Sequence, residues 1–250
     1  MVTSVERTPS DLENFLAALK NSENATAIDL LNSGKIAADR RVSIHDIDGT
    51  LLKTVLDAKN EEVALALISN LNKLHYKNNP EKIIDCLEYD GVNYASYAKA
   101  RGLYKVADTI EETIKTNKYR NEVKEKFFDN VSHNNIAGVK ESLHVMHNVG
   151  LGINATRQDL TGLEMAVQGI SGSRVKLVDL LLDGISFEER ADPTAGYYKN
   201  ALLPLIASGS GHEKEASLIL DAIKTQIKFK GLFHLSKAAR MEACTYARVA

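Results

Sequence analysis

The sequence predicts an all-α chain, a solenoid of stacked helix–turn–helix repeats with short hairpin or loop tips. Three observations carry that expectation. Residues 127–182 read as a short helical pair, a Gly-rich turn with an extended tip, and a second helical pair at almost equal spacing, as a stacked repeat does. Elsewhere apolar residues recur at the three- and four-residue spacing of a helix face. Composition agrees: Ala and Leu abound, Trp is absent, and the 250 residues hold only four Pro and 6% aromatics, which favours helix over sheet.

In residues 8–40, Thr8 or Ser10 suits a helix cap and Pro9 a first-turn position, and Leu12, Phe15, Leu16 and Leu19 share a face. After Asn21–Asn24 a second helix carries Ala27, Ile28, Leu30 and Leu31 and closes at Gly34. Residues 41–79 repeat this: a polar turn, then Leu51, Leu52, Val55 and Leu56 on one helix and Val63, Leu67, Ile68 and Leu71 on the next. Residues 80–118 begin with an extra helical or extended segment at 81–89. Asp90-Gly91 then precedes a first helix, and Gly102 separates it from a second.

In residues 119–154, Phe127, Phe128 and Val131 lead to a break at His133–Asn135, and Val139, Leu143 and Val145 lead to Gly150. Lys118–Lys126 reads as a mixed-charge, solvated helix or linker. Residues 155–190 pair a helix at Thr161–Ala166 with one at 175–184, divided by a Gly-Ser insertion, and residues 191–227 break at Gly211-His212. Residues 228–250 form a C-terminal capping segment.

Aligned on one first-helix position, the units fall at Ala18, Val55, Ala98, Asn130, Ala166 and Ala207, in steps of 37, 43, 32, 36 and 41. The chain resembles the ankyrin repeat family, whose period is about 33. The family's Gly-x-Thr-Pro-Leu-x-x-x-Ala pattern is similar to Asp48-Gly49-Thr50-Leu51-Leu52 with Val55, and to Asp159-Leu160-Thr161-Gly162-Leu163 with Ala166. Its Gly-His turn resembles Gly211-His212, and its Gly-Ala-Asp-Val-Asn lead into the hairpin resembles Gly150–Asn154. The Thr-Pro dipeptide is lost almost everywhere. The resemblance covers about residues 8–227 and implies an ankyrin-like solenoid whose concave groove binds other proteins; residues 1–250 are read as one such domain, and no cofactor is expected.

A competing reading starts at His45–Leu52. Asp46-x-Asp48-Gly49-Thr50 resembles the first motif of haloacid-dehalogenase-type phosphatases, which would make Asp46 a nucleophile and Asp48 the acid/base of a magnesium-dependent enzyme. Ser69-Asn70 is faintly similar to a later motif of that family. The preceding RRVSIH is a poor buried strand, however, and strands do not alternate with helices. The non-catalytic reading is therefore preferred. His144 and His147 stand three apart without a third ligand placed by the sequence, and the His45-Asp46 dipeptide alone specifies no metal site. The SGSG at 208–211 lacks the Lys-Ser/Thr that completes a phosphate loop. No metal is expected.

The chain is read as a protein–protein interaction module, either a scaffold or a bacterial effector, and a purely structural oligomer subunit is a third class. Three polar tips are the expected binding surfaces: Arg40, Arg41 and His45; Tyr89, Asp90 and Tyr94; and Arg157, Gln158 and Asp159. Tyr and Arg anchor many interfaces, whereas Tyr94 and Tyr97 can instead pack between repeats. The net charge of −2 gives no electrostatic reason for a nucleic-acid or membrane partner. Cys86 and Cys244 lack metal-ligand spacing and fit a reducing interior. No membrane span or signal peptide is expected, which points to a cytoplasm, or to a host cytosol for an effector.

Overall fold

A computed structural model describes residues 10–33, 36, 41–44, 47–73, 78–89, 91–168, 174–183, 190–193, 195, 201 and 212–230. Among them are eleven helices and three two-stranded antiparallel hairpins, so the chain is mostly helical. It divides into two compact units, Met1–Tyr119 and Arg120–Ala250, each with its own apolar core. Pro9, Gly34, Arg40, His45, Asp46, Asp90 and the tail 231–250 lie outside the described residues.

The first unit opens with α1 (Asp11–Lys20) and α2 (Asn24–Asn32). Ser10 starts α1 through a capping box: its hydroxyl accepts from the Glu13 amide while the Glu13 carboxylate accepts from the Ser10 amide. Strands β1 (Arg41–Ile44) and β2 (Ile47–Thr50) precede α3 (Leu51–Asp57) and α4 (Glu61–Lys73). Helix α5 (Pro80–Leu87) is the additional segment, with Pro80 in its first turn where a missing N–H costs nothing. Strands β3 (Glu88–Tyr89) and β4 (Val92–Asn93) then lead to α6 (Tyr94–Ala100), capped by the Asn93 side chain on the Ser96 amide.

Neighbouring helix pairs bury the faces that helical spacing assigns to them. Helix α2 packs on α4, and α3 on both α4 and α6. Leu51, Leu52, Val55 and Leu56 of α3 and Val63, Leu67, Ile68 and Leu71 of α4 are all buried. Removing one such side chain from water contributes about 1.5–3 kcal/mol, the main source of stability for helices too short to persist alone. Between α2 and α4, Asn60 Nδ2 donates to Asn24 Oδ1 and Asn24 Nδ2 to Glu62 Oε2, each at 2.6 Å.

Helix α7 (Tyr104–Ser132) runs for 29 residues without interruption, across the division between the compact units and across the sequence boundary placed at 118/119. Lys118–Lys126 is continuous helix, and it is not wholly solvated: Arg120 and Lys124 are buried. They occupy the same inward stripe as Val123, Phe127, Phe128 and Val131, so their position on the helix overrides their polarity.

The second unit continues with α8 (Ile136–Asn148), the hairpin β5 (Thr156–Arg157) and β6 (Leu160–Thr161), then α9 (Gly162–Val167), α10 (Val175–Asp183) and α11 (Glu213–Lys230). Helix α10 packs on α8, α9 and α11. Thr161 and Glu164 form a second capping box, here buried. Helix α11 passes through the boundary read at 227/228.

One turn recurs. The residue closing α1, α3, α6 and α7 is left-handed, Ser22 (φ 59°), Lys59 (53°), Gly102 (81°) and Asn134 (53°), whereas α9 ends at Gln168 in extended backbone. In each of the four the next residue's amide bonds back five positions, Glu23 to Ala18, Asn60 to Val55, Leu103 to Ala98 and Asn135 to Asn130, at 2.8–3.3 Å. These are Schellman motifs. The acceptors Ala18, Val55, Ala98 and Asn130 are the residues on which the sequence units align. In these four units the alignment picks out one backbone position, the third from the helix end; Ala166 is second from the end of α9, and Ala207 lies outside the described residues.

Candidate functional site

In each of the three hairpins the last paired residues stand three apart in sequence: Ile44↔Ile47, Tyr89↔Val92 and Arg157↔Leu160. At the third, Gln158 and Asp159 both have positive φ, 52° and 67°, which is the backbone of a type I′ turn and matches the right-handed twist of paired strands. Gly91 in the second hairpin has φ 72°. Gln158 and Asp159 are exposed.

The fold places the expected binding residues unequally. Arg41 lies on β1 opposite Thr50, and Tyr89 is half-buried on β3. Arg157, Gln158 and Asp159 come together on one hairpin. Arg157 does not stand free: Nε pairs with Glu125 Oε2 and Nη1 with Asp129 Oδ1 of α7, both at 2.9 Å. These bonds tie the hairpin to α7 and leave Gln158 and Asp159 as its exposed tip. Tyr94 is 1% exposed, with its ring edge-on to Tyr97 at 6.1 Å, so it packs in the core instead of offering a surface. It sits at the first position of α6, where the backbone turns the side chain inward.

A cluster that the sequence reading missed joins α3 to α6. Asp57 Oδ1 accepts from Tyr97 Oη at 2.6 Å and from Arg101 Nη2, while Asp57 Oδ2 pairs with Lys53 Nζ at 2.9 Å. Arg101 lies over the Tyr97 ring, with Cζ 3.5 Å from its centroid, and Lys53 Nζ is 5.7 Å from the same centroid. Partial burial pushes the Asp57 carboxyl up, but hydrogen bonds from Tyr97, Lys53 and Arg101 outweigh it and hold the group below its ordinary 3.8. The Asp57 hydrogen bond raises Lys53 above 10.5 against a smaller desolvation effect. The four residues lie 40 and 44 positions apart across the two helices, and only the α3–α6 register brings them together.

Asp48 is on β2, paired with Ser43 in an isolated antiparallel hairpin. His144 and His147 are exposed on α8, and no group of three or more His, Cys, Asp or Glu suited to a metal occurs among the described residues. A groove of about 600 Å³ runs along the α7 face formed by Lys105, Asp108, Thr109, Glu112, Thr113, Thr116 and Asn117. Two of its hydroxyl or amide groups are engaged locally, Thr109 Oγ1 with the Lys105 carbonyl and Asn117 Nδ2 with that of Thr113. No helix among the described residues is long and apolar enough to cross a membrane. Compared with protein-family models, curated proteins and solved structures, the chain matches none of them.

Proposed function

We propose that this chain is a non-catalytic protein–protein interaction module, an ankyrin-like solenoid that binds a partner protein through its hairpin tips and first-helix faces. The observation that carries the reading is the recurrence of one turn geometry at Ser22, Lys59, Gly102 and Asn134, joined to two-residue hairpins that precede helix pairs. Such units cannot bury their faces alone and leave their tips to solvent, so variation at the tips changes recognition without disturbing the core. The module acts as a scaffold in a cytoplasm or as a bacterial effector in a host cytosol.

The test is partner capture on the immobilised full chain, followed by calorimetry with the purified partner. Saturable binding that weakens in a Gln158→Ala/Asp159→Ala variant of unchanged circular dichroism supports the module. Concentration-dependent self-association without a partner would favour a structural oligomer subunit. The alternative, a haloacid-dehalogenase-like phosphatase, rests on the Asp46-x-Asp48-Gly49-Thr50 letters alone. Magnesium-dependent phosphoester turnover abolished by a folded Asp46→Asn variant would establish it and overturn the non-catalytic reading.

A further inference from the structure

The guanidinium of Arg101 is held in one orientation by neighbours that leave part of it unused. Its plane rests on the Tyr97 ring, and Nη2 donates to both Asp57 Oδ1 and Tyr97 Oη. Nε and Nη1 have no hydrogen-bond partner among the described residues, and the side chain remains 26% exposed. An Arg fixed by stacking has already lost most of its rotamer freedom, so a ligand that bonds to it orders little more. Asp57 does not cancel the site. Lys53 and Arg101 supply two positive charges against its one negative charge, each pairing directly with the Asp57 carboxylate. Among these side chains the two cations outnumber the carboxylate, and the Tyr97 ring lies against both.

We infer that Arg101, stacked on Tyr97 beside Lys53, is the anchor for an Asp or Glu side chain of a partner protein. The inference rests on the interaction-module reading and names the chemistry of its partner. A carboxylate carries the single negative charge that the cluster lacks, and it can accept from the free N–H groups in a charge-assisted bond. Arg and Tyr are also the side chains that most often dominate binding energy when packed together at an interface. The tip of the other compact unit has the opposite character, because Glu125 and Asp129 outnumber Arg157.

The experiment is a nuclear magnetic resonance titration of the isotope-labelled full chain with a blocked hexaglutamate peptide, using hexaglutamine as the neutral control. Hexaglutamate is expected to shift the Arg101 Nε–H signal and the Lys53 and Tyr97 amides saturably, and hexaglutamine to leave them in place. Arg101→Gln should weaken the binding by about tenfold or more, as removal of an interface anchor does. Arg101→Lys keeps the charge but loses the planar stack, and should fall between the two. The circular dichroism of both variants should match wild type, since the side chain is partly exposed. An unmoved Arg101 signal, an equal response to hexaglutamine, or unchanged affinity in Arg101→Gln would each overturn the proposal. A partner held equally by wild type and Arg101→Gln would remove this anchor and leave the module reading standing. Loss of all partner binding by wild type would remove that reading instead.

Discussion

At Gly162 the backbone of α9 comes close to a buried ring. A Cβ there would lie 2.7 Å from the Phe127 ring, and Phe127 is fully buried and cannot swing away. Within a helix, Gly→Ala ordinarily stabilises by up to about 1 kcal/mol, so crowding and propensity oppose each other. Overpacking wins here: Gly162→Ala should destabilise by about 1–3 kcal/mol, read as a lower thermal midpoint. Lys59 presents the reverse case. It closes a turn at φ 53° with a side chain that disfavours that conformation. Lys59→Gly should stabilise by about 1 kcal/mol in denaturant unfolding. A third residue-scale prediction concerns acid. Asp57 has a folded pKa below its ordinary 3.8, so its contribution is present above that value and is lost as pH falls through the lower folded value. Asp57→Asn should therefore be less stable than wild type near neutrality, with the difference shrinking below pH 3.8. Lys53, raised above 10.5, acts in the opposite sense: its contribution is present below 10.5 and lost as pH rises through the raised value. The side chains are more than one-third exposed, so both effects are small.

Elements differ in how far letters alone reveal them. The first-helix register was legible because Ala18, Val55, Ala98 and Asn130 recur beside turn residues, and Gly102 and Gly150 announce their left-handed turns. Ser22 and Lys59 do not, since such L-residues adopt that conformation rarely, whereas Asn134, of a type that adopts it more readily, falls in the break read at His133–Asn135. The continuity of α7 was hidden by Lys118–Lys126, whose charges suit a solvated linker as well as a helix. Arg120 and Lys124 gave no sign of burial, because their place is set by the stripe that Val123 and Phe127 begin. Tyr94 was ambiguous because a tyrosine suits either a core or an interface. The Asp57 cluster was illegible for a different reason: it depends on helix register between segments about forty residues apart.

For the whole molecule, the main fact is that apolar burial is divided. Leu67 belongs to the core of the Met1–Tyr119 unit and Val178 to that of the Arg120–Ala250 unit. Stability built from nearest-neighbour packing fails locally when one neighbour is weakened. Leu67→Ala should cost about 2–5 kcal/mol and should accelerate amide hydrogen exchange in α3 and α4 far more than in α8 and α10. Uniform acceleration throughout the chain would show the two cores to unfold as one.

The recurring turn bears also on the order in which the chain assembles. Each junction from Ala18–Glu23 to Asn130–Asn135 is closed by backbone bonds whose ends lie within six residues, and the β1–β2 hairpin closes within ten. Loops this short form with little entropic penalty, and structures dominated by nearby pairings fold quickly. A helix pair emerging during synthesis therefore already contains everything that fixes its turn. Assembly is expected to start from such locally closed corners, which need no distant strand.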